Sequence, residues 1–101
     1  MPDAVLGLLG LARRAGRLSP GFDAALKAAE DGHALLVLAA CDTSERTMRA
    51  IESGCARTDT ELVSTGYTME QLGNSIGRND TAIVAVCDKS LAKRVKELCH
   101  A

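Results

Sequence analysis

Aromatic side chains are almost absent from this chain of 101 residues, which contains no tryptophan, one phenylalanine and one tyrosine. Proteins that hold single-stranded nucleic acid by stacking its bases need several aromatic side chains, so the sequence disfavours that class. An excess of positive charge is lacking as well, since 12 basic and 13 acidic side chains leave a formal net charge of -1. Binding to RNA or DNA therefore has to be argued from local groups of residues.

Long apolar runs are lacking too. The early run at residues 4–12 is too short to cross a bilayer, and its positive charges follow it, whereas a signal peptide carries them in front. These features predict a cytoplasmic protein with no membrane partner. A chain of this length forms one domain, so residues 1–101 are expected to fold as a single unit.

Cysteines are few and widely spaced. They form no C-x-x-C pair, and only two histidines could complete a zinc site, so the sequence predicts no metal ion. Two cysteines end apolar runs and two fall on apolar helical faces, so we expect all four to be reduced and packed as small apolar side chains. The four residues are Cys41, Cys55, Cys87 and Cys99.

Helical and strand patterns alternate along the chain. Apolar residues at helical spacing predict a first helix that ends at Gly16, a second between residues 22 and 31, a third at residues 44–53 and a last one at residues 91–99. A capping-box pattern at Thr68 opens a further short helix that Gly73 ends. The predicted strands are residues 18–19, 34–40, 61–65 and 82–87. This order predicts an α/β fold, a single-domain three-layer α-β-α sandwich with a four-stranded mixed sheet.

Two of the predicted strands, residues 35–40 and 82–87, are unbroken apolar runs. Such runs indicate strands that helices cover on both faces, and each of these leads into a helix. We therefore predict that the two strands are adjacent and parallel. Cys41 would then lie close to Cys87.

Two segments of the chain are similar in sequence. They are V-L-A-A-C-D-T-S at residues 37–44 and I-V-A-V-C-D-K-S at residues 83–90. One interpretation makes Asp42 and Asp88 a carboxylate pair that holds magnesium or a metabolite at the sheet edge. The favoured interpretation is helix capping, with Glu45 completing a box-like cap after Asp42. No nucleophile elbow, phosphate-binding loop or H-E-x-x-H motif occurs, so the sequence predicts no enzyme activity.

Basic residues gather before the second helix. Arg13, Arg14 and Arg17 precede Gly21, where a helix N-terminus offers N–H donors to an anion, and Lys27 follows. These groups could grip a phosphate backbone. The alternative is a solvated helix end in which Asp23 pairs with Lys27 at i, i+4, and the spacing leaves both interpretations open.

Several stretches together resemble a known family. They are L-G-L-A-R-R-A-G-R-L at residues 9–18, Gly21 with Lys27, L-L-V-L-A at residues 35–39 with Asp42, L-G-N-S-I-G at residues 72–77, and the strand at residues 83–88. The chain is similar to the YlxQ/YbxF-like bacterial members of the kink-turn RNA-binding ribosomal protein family. The resemblance covers nearly the whole sequence.

The resemblance implies a non-enzymatic protein without a cofactor that binds structured RNA, the kink-turn, as a component of the ribosome or another ribonucleoprotein. The start of the second helix would enter the RNA groove, and the loop at residues 76–79 would pack against extruded nucleotides. Asp23 stands where archaeal members carry Asn, so it accepts hydrogen bonds but donates none when ionised. The implied RNA-binding residues are Arg14, Arg17, Gly21, Phe22, Asp23, Lys27, Ile76, Gly77, Arg78 and Asn79.

Two other functions remain open at the level of sequence. The same fold could serve as a protein-interaction module that docks through its apolar first helix or its basic last helix, because the acidic bulk of the chain suits RNA poorly. A small metabolite-binding protein or enzyme could be built around Asp42 and Asp88.

Overall fold

Five helices and four strands alternate along residues 3–99, the part of the chain that this computed structural model describes. The alternating order predicted from the sequence is confirmed. The elements are α1 (Ala4–Arg14), β1 (Leu18–Pro20), α2 (Phe22–Glu30), β2 (Leu36–Ala39), α3 (Glu45–Arg57), β3 (Leu62–Ser64), α4 (Met69–Ser75), β4 (Ile83–Val86) and α5 (Lys89–Cys99).

The four strands form one mixed sheet in the order β1-β4-β2-β3, with β2 and β3 parallel and the other neighbours antiparallel. Apolar side chains from α2 and α3 cover one face of the sheet, and those from α1, α4 and α5 cover the other. The residues of β2 and β4 are all buried, because helices shield them on both sides. The predicted three-layer α-β-α sandwich is confirmed.

The predicted direction of the two central strands is wrong. β2 and β4 are adjacent but antiparallel, with Ala39 opposite Ile83 and Leu36 opposite Val86. An unbroken apolar run indicates that both faces of a strand are buried. A strand is buried equally well whether it runs parallel or antiparallel to its neighbour, so the run does not indicate its direction. Cys41 and Cys87 therefore follow strand ends that lie at opposite ends of the sheet.

The antiparallel pairing also separates Asp42 from Asp88, which follow the same two strands. Each carboxylate accepts from an N–H in the first turn of a helix: Asp88 accepts from Leu91 at 2.9 Å, and Asp42 accepts from Met69 at 2.8 Å. Capping is therefore confirmed for Asp88 but is wrong for Asp42, because the cap of α3 is Ser44 and the cap of α4 is Thr68. The hypothesis of an Asp42–Asp88 ligand site is wrong, and so is the predicted box with Glu45.

Two helices run past the glycines that were expected to end them. α3 continues beyond Gly54, and α4 continues beyond Gly73. Both glycines are buried, because Leu26 packs onto Gly54 and the Asn79 carbonyl packs onto Gly73. At these positions glycine permits close packing of neighbouring segments instead of ending a helix.

The cysteines differ in their surroundings. Cys55 is buried and Cys87 and Cys99 are half-buried, as the packing interpretation expects. Cys41 is exposed, because β2 ends at Ala39 and the chain then turns outward, so the packing prediction is wrong for this residue. Within residues 3–99, no helix has the length and apolar character that a membrane span requires.

A hydrogen bond between side chains joins the start of α1 to the connection between β3 and α4. The Tyr67 hydroxyl donates to Asp3 Oδ1 at 2.6 Å, and the same oxygen accepts from Val5 N–H at 2.8 Å. The hydrogen bond from Tyr67 is the main reason why the pKa of Asp3 lies below its ordinary value. Burial, and next the bond to Asp3, raise the pKa of Tyr67.

Tyr67→Phe should lower the free energy of unfolding by about 1 kcal/mol at pH 7, because it removes the donor to a charged carboxylate. Since folding lowers the pKa of Asp3, this contribution is complete above its unfolded value near 3.8 and is lost as the pH falls through the folded value. Urea unfolding at pH 7 and at pH values below 3.8 measures the change. A difference between wild type and variant that is the same at both pH values would contradict this role.

Candidate nucleic-acid interface

The N-terminus of α2 is built on Gly21. Its backbone has φ 99 and ψ 154, a conformation that is essentially restricted to glycine. The Gly21 N–H donates to the Ile83 carbonyl at 2.7 Å, which fixes the start of α2 against β4. No side chain caps this helix, so its first-turn N–H groups have no side-chain acceptor.

The 76–79 loop follows α4 and is held at both ends. Arg78 N–H donates to the Gly73 carbonyl at 2.9 Å, and Gly77 turns the chain with φ 71. At the far end, the Asn79 carbonyl accepts from the Thr81 hydroxyl at 2.9 Å. Because Gly73 has no side chain, the backbone of Asn79 can pack directly on α4.

The start of α2 and the 76–79 loop meet in space. Arg78 Nη2 lies 3.9 Å from the point that a β-carbon on Gly21 would occupy. The contact follows from the pairing of β1 with β4, in which Pro20 lies opposite Val84 and the flanking segments come together at one end of the sheet. Beside it lies a depression of about 400 Å³ lined by Gly77, Arg78, Asn79 and Asp80.

Lys27 lies farther along α2, about 9 Å from Gly21 at 1.5 Å of rise per residue. Its ammonium group is 3.3 Å from Asp31, so the alternative in which Lys27 pairs with Asp23 is wrong. The side chain is 78% exposed and borders a second depression, which it shares with Gly16, Ser19 and His33. Because an exposed ion pair is weak, Lys27 can exchange Asp31 for a phosphate.

The arginines are spread more widely than the sequence suggested. Arg14 lies exposed in the last turn of α1. Arg17 is exposed before β1, and its carbonyl accepts from Cys87 N–H at 2.9 Å. The length of β1 therefore separates Arg17 from Gly21, and the structure brings only Arg78 to the start of α2.

Three of the expected site residues differ in their exposure to solvent. Ile76 is 6% exposed and belongs to the core under α1 and α4, so it anchors the loop instead of facing outward. Phe22 is half-buried and packs against the core between α2 and α3. Asp23 is exposed in the first turn of α2, where a carboxylate partly offsets the positive end of the helix dipole.

Sequence analysis missed Asp80 and the role of Gly73. Asp80 lines the depression beside Arg78, and no motif singled it out. Gly73 supports the loop, but a glycine near a helical pattern also signals a helix end, so the sequence carried no decisive signal. Within residues 3–99, no group of three potential metal ligands is close enough to hold an ion.

The model of the Ribosomal protein L7Ae/L30e/S12e/Gadd45 family matches residues 3–96. The chain belongs to this family. It is 32% identical over 95 residues to the RNA-binding protein YlxQ of Bacillus subtilis strain 168, a match that covers 90% of both chains. The resemblance predicted from the sequence is therefore confirmed.

Solved structures share the fold. A protein with unknown function from Bacillus halodurans C matches with a TM-score of 0.91 at 26% identity, covering 99% of this chain and 100% of the other. The Giardia lamblia 15.5kD RNA binding protein matches with a TM-score of 0.78 at 19% identity, covering 99% of this chain and 88% of the other. At 19% identity, the second similarity concerns the fold alone.

Gly73→Ala should destabilise the protein by about 1–3 kcal/mol, because the added methyl group overlaps the Asn79 carbonyl. Gly7→Ala is the matched control: it is also in a helix, and its β-carbon would meet no atom within 4 Å. This control should stabilise the protein by about 0.5–1 kcal/mol through helix propensity. Urea unfolding of both variants tests the pair, and the same sign for both would contradict the packing role of Gly73.

Proposed function

We propose that this chain is a non-enzymatic protein that binds structured RNA, specifically a kink-turn or a similarly bent duplex, as a component of the ribosome or another ribonucleoprotein. The proposal includes a cytoplasmic location, where such RNA is found. The observation that carries it is the position of the Arg78 guanidinium beside Gly21. Two segments that the family resemblance assigns to RNA binding are thereby joined in one surface.

The chemistry of this surface suits a phosphate. The first turn of α2 offers N–H donors and the positive end of a helix dipole, and Arg78 adds a cation that can donate two hydrogen bonds. Since Gly21 has no β-carbon, a sugar-phosphate chain can approach the backbone closely. Asp23 would accept a hydrogen bond from a guanine N1–H or N2–H.

A bent duplex fits this surface better than a single strand. Phe22 packs against the core, and the Tyr67 hydroxyl is bound to Asp3, so neither ring is placed to stack bases beside Arg78. Recognition would rest on phosphate positions and groove shape, which are the usual features read in structured RNA. The name of the Bacillus subtilis relative supports RNA as the ligand.

Gly21→Ala should weaken binding to an RNA duplex with a kink-turn bulge by about tenfold or more, because a methyl group would obstruct the close approach of RNA. Gly32→Ala is the matched control, since Gly32 also has a positive φ, of 78, and follows the opposite end of α2. Electrophoretic mobility shifts and thermal unfolding are measured for both variants. Comparable losses of affinity in the two variants would mean that backbone strain, and not the site, is responsible.

Arg78→Ala and Lys27→Ala should each weaken RNA binding and reduce the slope of log affinity against log salt by about one unit per lost phosphate contact. Lys93→Ala on α5 is the control, because Lys93 is exposed and lies outside this surface. Fluorescence anisotropy at several salt concentrations gives the slopes. Equal changes for Lys27, Arg78 and Lys93, or equal affinity for an unbent duplex, would contradict a site for bent RNA.

A further inference from the structure

A second surface lies at the other end of the sheet, between α5 and the start of β2. It encloses a depression of about 550 Å³ with an apolar floor and a basic rim. We call it the α5 surface. Its apolar residues are Leu35, Leu36 and Ala92, its basic residues are Lys89, Lys93 and Lys96, and its one acidic residue is Glu61.

Leu35 makes this surface unusual. It is 46% exposed, and within residues 3–99 only Leu11 is a comparably exposed large apolar side chain. Its N–H donates to the Val86 carbonyl at 2.9 Å, so the backbone is fixed while the side chain stays in contact with water. A single exposed leucine is common on protein surfaces, but Leu35 adjoins a depression with an apolar floor, where an apolar side chain of a partner could pack against it.

The basic rim follows from helical spacing. Lys89, Lys93 and Lys96 are four and three residues apart, so they project from one side of α5. Lys96 already binds a carboxylate, since its ammonium lies 2.7 Å from Glu61. Lys96 is therefore paired within the surface, and Lys89 and Lys93, which are both exposed, are the lysines that remain for the carboxylates of a partner.

Positive charge is concentrated in two stretches of the chain. Residues 89–99 carry four basic side chains and one acidic one, residues 1–22 carry three basic and one acidic, and residues 23–80 carry five basic and ten acidic. The positive face of α5 is complementary to an acidic partner.

We propose that the α5 surface docks an acidic segment of a partner protein. An apolar side chain of that segment would pack beside Leu35 in the depression, and its carboxylates would meet Lys89 and Lys93. RNA is the less favoured occupant, because a phosphate backbone gains nothing from the apolar floor formed by Leu36 and Ala92.

The α5 surface lies apart from the proposed RNA surface, by which we mean Gly21 and Arg78 with the start of α2. Gly21 binds to Ile83 at the start of β4, whereas Leu35 binds to Val86 at its end. The helices α2 and α5 also cover opposite faces of the sheet. RNA and the acidic segment can therefore bind at the same time, which would make the chain an adaptor between the two.

The test uses the full chain and a fluorescein-labelled peptide with glutamates on both sides of two leucines. Two further peptides replace either the glutamates with glutamine or the leucines with serine. The first peptide should bind about tenfold tighter than either of the others, since the surface supplies both charge and apolar contact. Fluorescence anisotropy measures the three affinities.

Lys93→Glu and Leu35→Asn should each weaken binding of the first peptide by about fivefold or more. Arg94→Glu is matched to the first change, because Arg94 is on the same helix but does not line the depression. Leu11→Asn is matched to the second, because Leu11 is 47% exposed on α1. Both controls should bind the peptide nearly as well as wild type.

Four results would overturn the proposal. The first is no binding of the acidic peptide at about 1 mM, which corresponds to about 4 kcal/mol of binding free energy. The second is an equal effect of Lys93→Glu and Arg94→Glu, which would mean attraction by net charge alone. The third is loss of bent-RNA binding in Leu35→Asn, which would assign the surface to RNA. The fourth is a dimer that Leu35→Asn dissociates, which would make a second copy of the chain the occupant.

Discussion

The pairing of β4 with β1 and β2 is the constraint on which the other features of this molecule depend. β4 lies between two antiparallel neighbours, and its residues are fully buried by helices on both faces. Its direction decides which segments meet at each end of the sheet. The Gly21 N–H bonded to the Ile83 carbonyl brings α2 to the loop that precedes β4. The proposed RNA surface is thus a consequence of strand direction, and local sequence contributes the groups displayed there.

Much of the fold could be predicted from the sequence, because hydrophobic periodicity reports local structure and burial. The order of nine elements and the covered central strands followed from this signal. Strand direction did not, since an apolar run looks the same when it is reversed. The similarity between residues 37–44 and 83–90 reinforced the wrong direction, although it reflects only two strands that are each followed by an aspartate that accepts from a helix N–H. Strand pairing depends on contacts between segments that are far apart in the sequence, and local patterns carry no information about such contacts.

The candidate site was accessible mainly through the family resemblance. Spacing alone left Lys27 equally suited to a phosphate or to an ion pair with Asp23, and its partner is Asp31. The proximity of Arg78 to Gly21 depends on strand pairing over a long sequence separation, so no motif could reveal it. The burial of Ile76 and the support that Gly73 gives to the loop are likewise tertiary effects. The residue types at Ile76 and Gly73 were each compatible with a role at the surface and with a role in packing.

A net charge of -1 is compatible with RNA binding because charges act over a limited distance. At physiological salt the screening length is about 8 Å, so acidic side chains beyond that distance weakly affect a phosphate beside Arg78. The carboxylates that oppose such a phosphate most are those of the site itself, Asp23 and Asp80. The span of β4 from Ile83 to Val86 is about 10 Å, and the sheet adds further separation from α5. The lysines of α5 therefore contribute little to binding at the start of α2. Acidic side chains over the rest of the surface oppose a diffuse hold on any phosphate backbone, so the RNA binding that we propose requires an RNA whose bend places phosphates within reach of Gly21, Arg78 and Lys27.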